Sequence, residues 1–165
     1  SVISNEMKDL AARAKAKTFS SSQGAGLKKS TITSVRHRDF KKMMLVEVTK
    51  ASCTKRTWIV RGKILTAYRK AGGPTGKYGV PIHDPLCRLL ENGCVQRFTG
   101  GSLYEKKSQS KAFGQLGRTK ATEALAAARS QLSYRSTRLR SKYNTWTGSV
   151  GQPWCSAFQS WVAAA

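Results

Sequence analysis

The chain has 165 residues, enough for one medium domain or two small ones, and carries thirty Lys and Arg against eight Asp and Glu. A formal net charge of +22 draws polyanions, whether nucleic acid, anionic lipid or anionic wall polymers. No continuous apolar run approaches about eighteen residues, which excludes a transmembrane helix, and Cys53, Cys87, Cys94 and Cys155 lack the spacing and histidine partners of a zinc site, so neither metal nor cofactor is expected.

Taken in order, Ser4 is placed to N-cap a short helix with Met7, Leu10 and Ala14 on one face. Phe19 to Ser34 is rich in Ser, Gly and Lys, so residues 1–35 are expected to be a basic N-terminal helix and a flexible linker. Such a segment is either a nucleic-acid-binding tail or, more commonly, a solvated terminus. Ser1 is not a start methionine, so the lack of a visible signal peptide is compatible with an upstream leader. Order returns near Phe40. The apolar stretches Met43 to Val48 and Thr57 to Val60, separated by Cys53, Thr54 and Lys55, predict a hairpin. Gly62 to Lys70 predicts a helix with Ile64, Leu65 and Tyr68 on one face, stopped at Gly72-Gly73-Pro74. Gly76, Gly79 and Pro81 mark tight turns.

The order Gly62-x-Ile64, Tyr68, Gly72-Gly73, Gly76-x-x-Gly79-Val80-Pro81, then Phe98-x-Gly100-Gly101-Ser102-Leu103-Tyr104 resembles an LGFP repeat. Such repeats occur in secreted actinobacterial wall proteins. Tyr78-Gly79-Val80-Pro81 stands at the eponymous motif, with Tyr for Leu and Val for Phe. The resemblance implies one repeat over residues 57–107 within a wall-binding segment 36–107, with Tyr78, Phe98 and Tyr104 as wall-binding residues. Phe40 to Val60 reads as the tail of a degraded preceding repeat, Phe40 answering to Phe98 and Lys41-Lys42 replacing the glycine pair. A unit this small barely makes a core, which favours repetition and staples. Cys87 and Cys94 bracket Arg88 to Gly93, and a bridge there would contribute roughly 2–3 kcal/mol by chain entropy. The family often carries a cysteine pair at this place; two reduced, buried cysteines are the alternative.

Residues 108–118 are rich in Gly, Ser and Gln and are expected to be a linker. Beyond them, Leu125, Ala128 and Leu132 stripe an alanine-rich helix. Arg129, Arg135, Arg138, Arg140 and Lys142 follow without an acid after Glu123, either a docking surface for anionic glycans or a solvated basic face. In the last stretch, Phe158, Trp161, Val162 and Ala165 recur at helical spacing, which puts Cys155 in the first turn or cap of a helix. Unpaired N–H groups and the dipole at a helix start favour a thiolate and can hold an oxyanion. A buried structural cysteine is the equally weighted alternative. Trp154 and Trp161 read as core before substrate platform.

The alanine-rich helix, Lys142-Tyr143-Asn144-Thr145-Trp146 and Pro153-Trp154-Cys155-Ser156-Ala157-Phe158-Gln159-Ser160-Trp161-Val162 together resemble the opening of a CHAP domain, the cysteine amidase/endopeptidase module of bacterial and phage peptidoglycan hydrolases. The resemblance implies that residues 119–165 are the N-terminal part of that papain-like module, with Cys155 as nucleophile. The family's histidine base and its orienting partner follow the cysteine, whereas none of the ten residues after Cys155 is His, Asp, Glu or Asn. The chain as given is therefore expected to be a module truncated after its nucleophile and inactive alone. Of the two histidines, His83, beside Asp84, is the better substitute base, and His37 the poorer.

The expected fold class is α+β: a small repeat of short helix, β-hairpin and Gly/Pro turns, then the helices of an incomplete CHAP domain. The expected function is that of a secreted, wall-associated (or phage-encoded) monomeric peptidoglycan hydrolase, bound to peptidoglycan or anionic wall polymers. A non-catalytic wall-binding protein is the alternative. A nucleic-acid binder ranks third, because the basic residues are scattered without a reading motif or aromatic interleaving.

Overall fold

The computed structural model describes residues 17–19, 32–136 and 140–164. The expected helix after Ser4 lies outside them, as does Ala165 of the C-terminal stripe. The class is α+β. Strands β1 (Lys17–Phe19), β2 (Ile32–Phe40), β3 (Met43–Lys50) and β4 (Lys55–Arg61) form a four-stranded antiparallel sheet in sequence order, followed by helix α1 (Gly62–Lys70). Strands β5 (Leu86–Leu89), β6 (Gly93–Phe98), β7 (Gly101–Glu105) and β8 (Phe113–Leu116) form a second, followed by α2 (Ala121–Arg129). Two further helices, α3 (Lys142–Thr147) and α4 (Cys155–Ala164), complete the described chain. The succession of a four-strand meander and a helix thus occurs twice.

The two halves use the same tight turn. Phe40 pairs with Met43 around Lys41-Lys42, and Phe98 pairs with Gly101 around Thr99-Gly100. Phe40 and Phe98 therefore answer to each other in position, but only Phe98 fills the core. Phe40 is half-buried, with the Arg38 guanidinium 5.9 Å from its ring centre. Helix α1 has the expected bounds and buries the expected Ile64, Leu65 and Tyr68. It stops where Gly72 turns left-handed at φ +97°. Its start is capped from far along the chain: the Ile64 N–H donates to the Glu105 carboxylate at 2.8 Å. A Cβ at Gly62 would sit 2.7 Å from a Glu105 carboxylate oxygen, so only glycine admits this cap.

One core joins the sheets through α1. Met44, Val46, Val48 and Val60 from the first sheet meet Ile64, Leu65 and Tyr68, and these meet Tyr78, Val80, Phe98 and Leu103. Tyr68 stacks on Phe98 at 4.6 Å and donates to the Gly79 carbonyl at 2.6 Å. The edge of β4 is closed by the second half: Asp84 accepts from the Ile59 N–H and Gln96 donates to the Ile59 carbonyl, both at 2.8 Å.

Four expectations need correction. Tyr78, Phe98 and Tyr104 are buried, with Phe98 at 1% and Tyr104 at 0% exposure; the first two lie in the core that joins the sheets, Tyr104 packs with Val95, Ala126 and Ala127, and none offers a face to a wall polymer. Residues 108–118 are not a free linker, since Phe113–Leu116 pair with Gly101–Tyr104 as the edge strand β8. Likewise, Ile32–Val35 already belong to β2, where a linker was expected. Finally, α2 buries Thr122, Ala126 and Ala127, while Leu125 and Leu132 are exposed. Its small face packs on β7 and β8, with the Ser102 and Thr122 hydroxyls 2.6 Å apart. At that separation a leucine stripe would not fit, and alanine and threonine do.

Candidate functional site

Cys155 opens α4. The Trp154 carbonyl accepts the Phe158 N–H at 2.8 Å, so Trp154 is the cap and Cys155 the first helical residue. The thiol is exposed and unbonded, which removes the buried structural alternative. It borders a groove of about 460 Å³ walled by Gln131, Leu132, Tyr134, Tyr143, Trp154 and Phe158. The loop before Cys155 is held by Asn144, fully buried, whose side-chain amide donates to the Ser149 carbonyl at 3.1 Å and the Gln152 carbonyl at 2.9 Å. Asn144 is itself fixed in α3, whose N-cap Ser141 accepts the Asn144 N–H.

Tyr143 is the hub beneath the groove. Its ring lies 5.0 Å from Phe158, 5.3 Å from Tyr134, 5.5 Å from Trp161 and 5.8 Å from Trp154. Tilted and offset pairs of this kind each add about 0.5–1.5 kcal/mol beyond area burial. Trp161 is core, as expected, and Trp154 is half-buried at the groove wall. The neighbouring Lys142 ammonium lies 5.2 Å from the Tyr143 and Trp161 ring centres, and it donates to Gln131 and to Glu91.

Glu91 sits at the tip of the β5–β6 hairpin and also accepts from Lys106 at 2.7 Å. Burial pushes its carboxyl up, but hydrogen bonds and charge from Lys106 and Lys142 outweigh this and hold it below the usual carboxylate range. Burial, with Glu91 and Tyr134 adding to it, pushes the Tyr143 phenol well above its ordinary value. Burial, with Glu91 adding, raises Tyr104 to about 12. Tyr143 and Tyr104 therefore stay neutral at ordinary pH.

No protein-family profile matches the chain, and no curated protein matches it either. The functional reading rests on the geometry and the sequence motifs.

His83 is not brought to Cys155. Its Nδ1 meets the Asp84 carbonyl at 2.6 Å and its Nε2 meets Glu123 on α2 at 3.3 Å, and none of these residues lines the groove. It lies in a bend, as a loop residue was expected to. His37 stands in β2, paired in register with Lys17 and Val46. Cys87 and Cys94 form the disulfide, facing each other across β5 and β6, while Cys53 is free and exposed in the β3–β4 turn. Among the described residues no group of His, Cys, Asp and Glu is arranged to hold a metal ion, and no helix is long and apolar enough to cross a membrane. Sequence reasoning missed Glu91, the half-buried Lys142 ammonium that pairs with it, Gln131 and Asn144. The available signal was Glu91, an acid at the tip of a cysteine-bracketed loop in a strongly basic chain.

Proposed function

We propose that this chain is the wall-binding and nucleophile-bearing part of a secreted cysteine hydrolase of peptidoglycan. The observation that carries the reading is the exposed Cys155 thiol at the first residue of α4, opening onto an aromatic-walled groove. In that role the thiolate attacks a peptide or muramyl amide carbonyl, and the tetrahedral oxyanion forms beside first-turn N–H groups that have no intrahelical partner. Collapse breaks the C–N bond, the amine leaves with a proton, and water releases the thioester. The groove's described walls hold glutamine, tyrosine and apolar side chains, so the proton transfers need a group from outside them. The Cys87–Cys94 bridge supports an oxidising exterior as the place of work. The net charge of +22 supports attraction to anionic wall polymers, weakening as salt screens it.

The second reading, a wall-binding protein without catalysis, is favoured by the engagement of both His83 ring nitrogens on Asp84 and Glu123. One experiment separates the two. The chain is incubated with soluble muropeptides carrying an activated ester and mapped by mass spectrometry. An acyl adduct on Cys155, absent in Cys155→Ala and unchanged in His83→Ala, supports the nucleophile. No adduct at Cys155, or one on the exposed Cys53 instead, leaves the binding reading standing.

A further inference from the structure

The tip of the β5–β6 hairpin is conformationally costly. Arg88, Glu91 and Asn92 all have left-handed backbone, at φ +67°, +58° and +53°, and none is glycine. Such residues persist only where their surroundings over-determine them. Two anchors do so here. At the base, the Cys87–Cys94 bridge ties the strands just before the Arg88 irregularity. At the tip, Leu90 packs into the cluster of Tyr143, Ala157 and Trp161, and the Glu91 carboxylate is clamped between the Lys106 and Lys142 ammonium groups. Lys142 and Tyr143 begin α3, and Tyr143 underlies Trp154 and Phe158 in the Cys155 groove. A continuous line of contacts therefore runs from the disulfide, through Glu91 and Tyr143, to the groove.

We propose that the disulfide-closed hairpin is a redox-controlled brace for the Cys155 groove, with Glu91 as its positioning residue. The proposal rests on the reading of that groove as the reactive site. With the bridge formed, the tip is held where Glu91 and Leu90 dock α3 and α4. When a dithiol donates two electrons and two protons, the S–S bond breaks, Cys87 and Cys94 become thiols, and the reagent leaves as its own disulfide. The left-handed tip then relaxes, Lys142 loses its carboxylate, and the groove loses its fixed floor. Such a device assembles the site only in an oxidising compartment, which keeps the groove around a wall-cutting thiol unformed before export.

The test uses the full chain, Cys87→Ser/Cys94→Ser, and Glu91→Gln, which keeps the bridge. Amide hydrogen exchange reads the brace. We expect exchange in α3 and α4 to quicken at least about tenfold in both variants while β3 stays protected. Unchanged α3 and α4 protection in Glu91→Gln overturns the brace. If β3 also loses protection in the double serine variant, the bridge holds the whole fold rather than the α3–α4 docking, and the redox-controlled brace is overturned. Alkylation reads the groove separately. The rate of an aromatic maleimide over N-methylmaleimide is measured at Cys155 and normalised to Cys53. A preference at Cys155 in the parent chain that falls at least about threefold in both variants supports the coupling. A preference that survives in them overturns it. If the parent shows no preference, the groove reading fails, and the exchange result still decides the brace.

Discussion

Truncating Tyr143 is the sharpest probe of what holds the Cys155 helix in place. The side chain is 1% exposed and its ring meets four other rings within 5.8 Å. Removing a buried aromatic ring costs about 3–5 kcal/mol through lost transfer energy and the cavity left behind. Its hydroxyl donates to Gln131 at 3.2 Å, a long bond whose acceptor also has Lys142. Tyr143→Phe should therefore cost only about 0.5 kcal/mol, the low end for a single hydrogen bond. Against a total stability of about 5–15 kcal/mol, Tyr143→Ala should undock α3 and α4 well before the sheets unfold. Urea unfolding followed by tryptophan emission and far-ultraviolet circular dichroism reads both variants. The emission of Trp154 and Trp161 should shift early in Tyr143→Ala and stay near parental in Tyr143→Phe. If the phenylalanine variant loses as much as the alanine one, the hydroxyl network holds the helices and the packing argument is wrong.

Glu91 gives a pH dependence of known sign. Its folded carboxyl lies below the ordinary value, so its stabilisation is complete above an unfolded pKa of about 4.3 and is lost as pH falls through the folded value. Acid titration of α3–α4 docking should show this loss in the parent and a flatter profile in Glu91→Gln; identical profiles would remove Glu91 from the account. Asn144→Ala should cost about 1–3 kcal/mol, because the buried amide serves the Ser149 and Gln152 carbonyls. Its signature is faster amide exchange at residues 149–155, and a change confined to α3 would contradict the role given to Asn144. The chain should sediment with purified actinobacterial walls at low salt and release at high salt, and retention at high salt would show that charge is not the main attraction.

The legible parts of the fold were those whose stability is local. Helix α1 could be bounded because its apolar spacing, its glycine stop and its proline all lie within the segment itself. The β3–β4 hairpin was legible for the same reason. Strand β8 was not: Phe113–Leu116 contains a glycine and follows a polar stretch, and its hydrogen bonds come from β7. Tyr78, Phe98 and Tyr104 looked like a binding face because aromatics at turns and strand ends fit either role. The core between the sheets closes over Tyr78 and Phe98 and α2 closes over Tyr104, and burying rings there outweighs leaving them in water.

From the sequence alone follow the α+β class, the strong cationic character, the α1 helix with its buried face, and a cysteine at the start of the last helix. These depend on composition, on periodicity and on residues within a few positions of one another. The tertiary structure decided which face of α2 is buried, what caps α1, and what braces the groove. Each of those turns on a partner far along the chain: β7 and β8 for Ala126 and Ala127, Glu105 for Ile64, Glu91 for Lys142. The physical reason is that a helix face or a charge has no preferred side until another element approaches. Whether it is buried is then set by the size of the facing side chains and by the desolvation its partner must offset.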